Sequence, residues 1–167
     1  MIARIIKDTE KLLKELGSRD PKDLAAHFDV SLREDALGSL KAYIFFQSRV
    51  AVICLNSSLP EELRPTVVCH EMGHYLYHQK LAKGHTFQER QLFSPQCSSE
   101  YEANLFAAEF LLEDEEVWEK LKAGGDLFRV ASELSVPPEL LDFKLKLMHY
   151  KGYEVHSCLQ AAGNFLK

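Results

Sequence analysis

The sequence predicts an α+β protein, mostly helical with one small sheet, and three observations predict it. Apolar residues recur at three- and four-residue steps along most of the chain, as amphipathic helices require. A single pair of runs, Ala42–Phe46 and Val50–Leu55, is rich in β-branched and aromatic residues. The length of 167 residues, with 46% hydrophobic and 27% charged, suits one folded unit with its own core rather than a disordered chain.

The elements follow in order. Ile2, Ile5, Ile6, Leu12, Leu13 and Leu16 share one helical face, and Gly17 is placed to end that helix. Asp20-Pro21 has the form of an N-cap followed by proline at the first helical position, and leads into Leu24, Ala25 and Phe28. The two β-rich runs flank the polar Gln47-Ser48-Arg49, which predicts a hairpin and the only strong strand signal. Pro60 and Pro65 each suit a helix start, and no breaker interrupts the stretch from Pro65 to about Lys80. Lys83 to Ser99 contains Gly84 and Pro95 with little periodicity and reads as a long loop. It joins two helices and is expected to cover the cleft between them. A helix starting at Ser98 or Ser99 is expected to bury Ala103, Phe106, Ala107 and Phe110. A further turn or two ends at Gly124-Gly125, and two short helices meet at Ser135-Val136-Pro137-Pro138. Phe106, Phe110, Trp118 and Phe128 read as a core stripe.

Charge and composition narrow the function. A formal net charge of −5 supplies no positive field for phosphates, so non-specific nucleic-acid binding is disfavoured. Near the middle of the chain, the longest stretch without a charged side chain runs only from Val50 to Pro60, too short to cross a bilayer. The first eight residues meet charges every few positions and lack the apolar block of a secretory signal, which predicts a cytoplasmic protein. Cys54, Cys69, Cys97 and Cys158 form no Cys-x-x-Cys pair and read as free thiols.

The chemistry sits in His70-Glu71-Met72-Gly73-His74. Residues four apart on a helix lie on one face about 6 Å apart along the axis, so two imidazoles can share one metal ion. Glu71 projects roughly 100° away from His70, out of the coordination shell yet near enough to take a proton from water. A catalytic zinc usually takes three protein ligands, so an acidic or histidine residue must come from another element. Glu102 is the candidate and Glu100 the reserve. Ser99-Glu100-Tyr101-Glu102 also matches a capping box, in which Glu102 bonds back to the Ser99 backbone.

Cys69-His70-Glu71-Met72-Gly73-His74-Tyr75-Leu76-Tyr77-His78, followed by Tyr101-Glu102-Ala103-Asn104-Leu105-Phe106-Ala107-Ala108-Glu109-Phe110-Leu111-Leu112, closely resembles the ImmA/IrrE family of bacterial and phage metallopeptidases. The resemblance covers about Asp20 to Leu112 well and the C-terminal third loosely. It implies a zincin-like fold, with the hairpin packed beside the metal helix. It also implies that the glutamate preceding Ala-Asn, Glu102 here, is the third metal ligand. Where family members often carry a proline after the Phe-Ala-Ala segment, this chain has Glu113. The domain expectation is a single metallopeptidase-like unit over 1–167, with 1–112 as the metal-site core. Residues 113–167 form a C-terminal helical region with a helix-turn-helix-like outline.

His78, four residues beyond His74, is either a donor near the metal or to the transition state, or an amphipathic surface histidine. His85, Tyr75 and Tyr77 are weaker candidates for the same role. Cys69 points about 100° from its neighbouring ligand and reads as packing. His27, His149 and His156 have no ligand spacing. In the C-terminal helices, Glu139 and Asp142 stand beside Lys144 and Lys146, and acidic residues at the leading end repel phosphates, so direct DNA binding is disfavoured.

The reading is a cytoplasmic zinc endopeptidase, with Mn²⁺ as another possible metal. His70, His74 and Glu102 hold the metal, and Glu71 is the general base. The resemblance implies one specific protein substrate, typically a helix-turn-helix repressor governing a prophage, mobile element or stress regulon. The alternative is a metal-binding sensor or interaction module that regulates a transcription factor without cleaving it.

Overall fold

The structure is a computed structural model that describes residues 1–82 and 98–157. Helix α1 spans Ile2–Leu16 and turns its Ile5, Ile6 and Thr9 face inward; Gly17 closes it in the left-handed conformation, its N–H bonding Leu13 O. Helix α2, Pro21–His27, starts as its sequence dictates: Asp20 caps it, accepting from the Lys22 N–H.

Three strands follow, β1 Ser31–Asp35, β2 Ala42–Gln47 and β3 Val50–Asn56, in the spatial order β1-β3-β2. The predicted hairpin is β2 antiparallel to β3, with Ile44 opposite Ile53. Its turn is two residues rather than three, Ser48 and Arg49, both at positive φ. That geometry matches the right-handed twist of a hairpin. β1, parallel to β3, has no counterpart in the sequence prediction. Four of its five residues are exposed and three of them are charged, so no apolar alternation marks it.

After a 3₁₀ turn at Glu61–Leu63, helix α3 runs from Arg64 to Ala82, with a kink at His78 (φ −128°, ψ 19°). Helix α4 is Ser98–Leu111, α5 Asp114–Lys122, α6 Leu127–Glu133 and α7 Pro138–Tyr150. The predicted loop from Lys83, with its gating role, together with His85, Cys97 and Cys158, lies outside the described residues.

Helix α4 is the centre of the molecule. Residues Ala103 to Phe110 are all buried, and α1, α3 and α7 pack around it. A helix that is apolar around most of its circumference needs neighbours on every side. The sheet lays Ala42, Ile44, Ile53 and Leu55 into the same core, beside α3. The closest crossing is at Gly73, where an added Cβ would lie 2.8 Å from the Ala103 Cα. Only glycine lets α3 and α4 approach so nearly. One outcome differs from expectation. Phe128 is 62% exposed and belongs to no core stripe. Helix α7, despite its helix-turn-helix outline, buries Leu140 to Leu145 together with Leu147 and Met148, so it is a packing helix rather than one offered to a groove. Among the described residues, no helix is long and apolar enough to cross a membrane.

Candidate metal centre

The site forms where the α3–α4 crossing meets the sheet. One turn apart on α3, His70 and His74 point their Nε2 atoms toward each other at 3.1 Å. Glu100, from the first turn of α4, places Oε2 3.3 Å from His70 Nε2 and Oε1 3.4 Å from His74 Nε2. All three residues are at most 4% exposed. Among the described residues they are the cluster able to hold a metal ion, their donor atoms all within 4.8 Å of one another.

The donor spacing tests whether a metal fits. Bonds of about 2.0–2.2 Å at tetrahedral angles separate neighbouring ligand atoms by about 3.3–3.6 Å. The two imidazole nitrogens stand 3.1 Å apart, just under one such edge, and each has a different Glu100 oxygen beside it, at 3.3 and 3.4 Å, so the carboxylate spans the pair. The orientation fits as well. His70 Nδ1 donates to Asn104 Oδ1 at 2.8 Å, which fixes the proton on Nδ1 and turns the Nε2 lone pair to the cluster. Asn104 is fully buried one turn beyond Glu100, so α4 supplies both a donor atom and the group that orients another.

Burial and charge set the protonation states of the chain without metal. At His74 burial dominates and lowers the pKa to about 4, keeping the imidazole neutral. Burial also pushes His70 down, but its bonds to Glu100 and Asn104 and the nearby Glu71 carboxylate outweigh it, and its pKa rises. Burial would raise Glu100, yet the two imidazoles hold it well below the usual carboxylate range.

Glu71 stands apart from these donors. It is 8% exposed and accepts a hydrogen bond from the backbone N–H of Ile44 on β2, the outer strand beside α3. Burial lifts its pKa to about 7. A carboxylate titrating near neutrality beside a set of metal ligands can both take and return a proton.

The structure therefore brings His70, Glu71 and His74 together and adds Glu100. It does not bring Glu102 to the cluster. Helix α4 begins at Ser98, which puts Ser99 inside its first turn rather than at the cap position of a capping box. Two residues beyond Glu100, Glu102 lies about 200° farther around the helix. Its Oε2 is 3.5 Å from His78 Nε2. His78 lies beside the site, its ring 5.6 Å from that of His74. Tyr75 packs on Phe28 and Phe46, and Tyr77 on Phe106 beneath Arg4, so neither joins the donors. Cys69 is fully buried, its thiol pushed well up by that burial, and Cys54 is likewise buried and free. Asn104 and Gly73 are the functional positions to which the sequence reading assigned no role. The signal for Asn104 was present: Glu100, Ala103, Asn104 and Ala107 repeat at i, i+3, i+4 and i+7, a face of small residues with two polar ones.

Residues 25–146 match the peptidase M78 family, described as the IrrE N-terminal-like domain. Over 140 residues the chain is 31% identical to immunity region protein 2 of Bacillus phage phi105, an alignment covering 81% of this chain and 85% of the phage protein. Among solved structures, a Mycobacterium tuberculosis transcriptional regulator superposes with a TM-score of 0.59 at 16% identity, over 86% of this chain. The chain spans 46% of the length of that regulator, and the likeness is one of fold.

Proposed function

The chain belongs to the peptidase M78 family, and from that premise we propose that it is a zinc-dependent endopeptidase whose substrate is a specific cytoplasmic protein, a helix-turn-helix repressor of a prophage, mobile element or stress regulon. The observation that carries the reading is the division of labour among four buried side chains. His70, His74 and Glu100 converge as a ligand set, their donor atoms within 4.8 Å of one another, while Glu71 stays off that set with its pKa near 7. Glu100, the reserve in the sequence analysis, stands as third ligand in place of Glu102.

Two imidazoles and one carboxylate suit zinc, and the same set accepts Mn²⁺. When bound there, the ion supplies Lewis acidity toward the scissile carbonyl and toward water. The chain's own residues do the rest. Asn104 holds the His70 tautomer. The Ile44 N–H aims the Glu71 carboxylate, which takes the proton from the attacking water and passes it to the leaving amine. No covalent bond to the protein forms. The repressor assignment draws support from the relative named as a phage immunity region protein and from membership of the peptidase M78 family.

The test is to incubate the zinc-loaded protein with a purified repressor encoded beside it and to read fragments by mass spectrometry. Cleavage at one or a few bonds by wild type, absent in Glu71→Gln, supports an endopeptidase. An intact repressor whose DNA binding nonetheless changes in the presence of Glu71→Gln points instead to a binding module.

A further inference from the structure

Glu100 is the third residue of α4, in a turn where the helix holds itself least, since the first N–H groups have no intrahelical acceptor. Ligand atoms need placement within about 0.5 Å. Something outside the helix must therefore fix this turn. On the C-terminal side of Glu100, Asn104 is tied to His70 of α3. On the N-terminal side the tie is His78. Its ring donates a hydrogen bond to the Ser99 backbone, and its Nε2 lies 3.5 Å from Glu102 Oε2. The His78 side chain is 10% exposed, and α3 kinks at this residue.

We propose that His78 is a positioning residue that clamps the first turn of α4 through Ser99, one residue before Glu100, and Glu102, two residues after it, and so sets the third ligand against His70 and His74. This rests on the ligand set proposed above. It gives Glu102 a task other than ligation: its carboxylate is the charge that faces the ring, 3.5 Å from Nε2.

The experiment is a zinc-affinity series by competition with a chromophoric chelator at fixed pH, with thermal melts of the zinc-free proteins alongside. Outer residues that orient ligands are typically worth about 10–100-fold in metal affinity. His78→Ala is expected to lose affinity in that range while still binding one zinc per chain at saturation, and Glu102→Gln to lose less in the same direction. His78→Asn, whose amide can replace the nearer ring donor, should recover part of the loss.

Unchanged affinity in His78→Ala and Glu102→Gln, with or without a lower melting temperature, overturns the clamp. A loss in His78→Ala as large as that in Glu100→Ala would make His78 a ligand and overturn positioning. Full affinity in Glu100→Ala would instead show that the underlying ligand set is wrong, whatever the His78 variants do.

Discussion

Helix α4 buries a carboxylate near each end, and the two ends differ in what faces it. Near the C-terminal end, Glu109 meets Lys144 Nζ at 2.8 Å and also Lys151, and both lysines reach Asp114 as well. Two ammonium groups thus answer two carboxylates, and Arg19 Nη1 donates to the carbonyls of Glu109 and Phe110 at 3.0 and 2.7 Å. Near the N-terminal end, Glu100 meets two imidazole nitrogens. An ammonium has no lone pair and can only donate, whereas a neutral imidazole offers one nitrogen lone pair. The lysine cluster can therefore lock packing but cannot ligate, while the histidine cluster offers three lone-pair donors to one point. One helix buries a carboxylate against cations at one end and against metal-ligand side chains, as proposed above, at the other.

The comparison predicts that lesions at the two ends fail in different ways. The largest effect belongs to the metal end. Glu71→Gln should lower repressor cleavage by about two to four orders of magnitude, the usual worth of a general base. Zinc content by elemental analysis should stay unchanged, because Glu71 is outside the ligand set. At the lysine end, Lys144→Ala leaves Glu109 buried without one of its cations, and should cost about 3–5 kcal/mol of folding stability in denaturant titration. Loss of zinc without loss of stability in that variant would erase the distinction between the ends.

A smaller cost is expected at the crossing that joins them. Gly73→Ala drives a Cβ to 2.8 Å from the Ala103 backbone, and overpacking of this kind costs about 1–3 kcal/mol. Because that crossing aligns His70 and His74 with Glu100, zinc affinity should fall along with stability. A variant as stable as wild type would show that the helices part without consequence.

The lysine end should also contribute to acid sensitivity. Burial would raise the Asp114 pKa, but Lys144 and Lys151 beside it hold it below its usual value. A folded-state pKa below the unfolded one gives stability that is present above about pH 4 and lost as pH falls through the folded value. Denaturant titrations from pH 5 down to 3 should show a shallower loss in Asp114→Asn than in wild type. Equal slopes would remove Asp114 from the acid transition.

What the sequence disclosed follows the same division. Elements that bury one clean face were readable: the stripe of α1, the Asp20 cap of α2, the β2–β3 hairpin and the apolar spacing of α4 all appear as expected. β1 was not, because pairing with β3 rather than its own alternation makes Ser31–Asp35 a strand. Phe128 misled as a core residue because a single aromatic in a short helix does not reveal which way that helix turns. At the site, spacing along α3 is enough to bring His70 and His74 together. Which of Glu100 and Glu102 faces His70 and His74 follows from the rotation of α4 against α3 at their close approach, where Gly73 meets Ala103, a fact of packing rather than of local pattern. The ion cluster at Glu109 joins residues 35 and 42 positions apart and had no local signature.

In the proposed site Glu100, and not Glu102, completes the ligand set. Zinc affinity of wild type, Glu100→Ala and Glu102→Ala, measured by chelator competition on folded protein, tests it most directly. The account predicts one tight zinc per wild-type chain, a far larger loss in Glu100→Ala, and a modest loss in Glu102→Ala with one zinc still bound at saturation. The reverse order, with Glu102→Ala abolishing binding and Glu100→Ala retaining it, would contradict it.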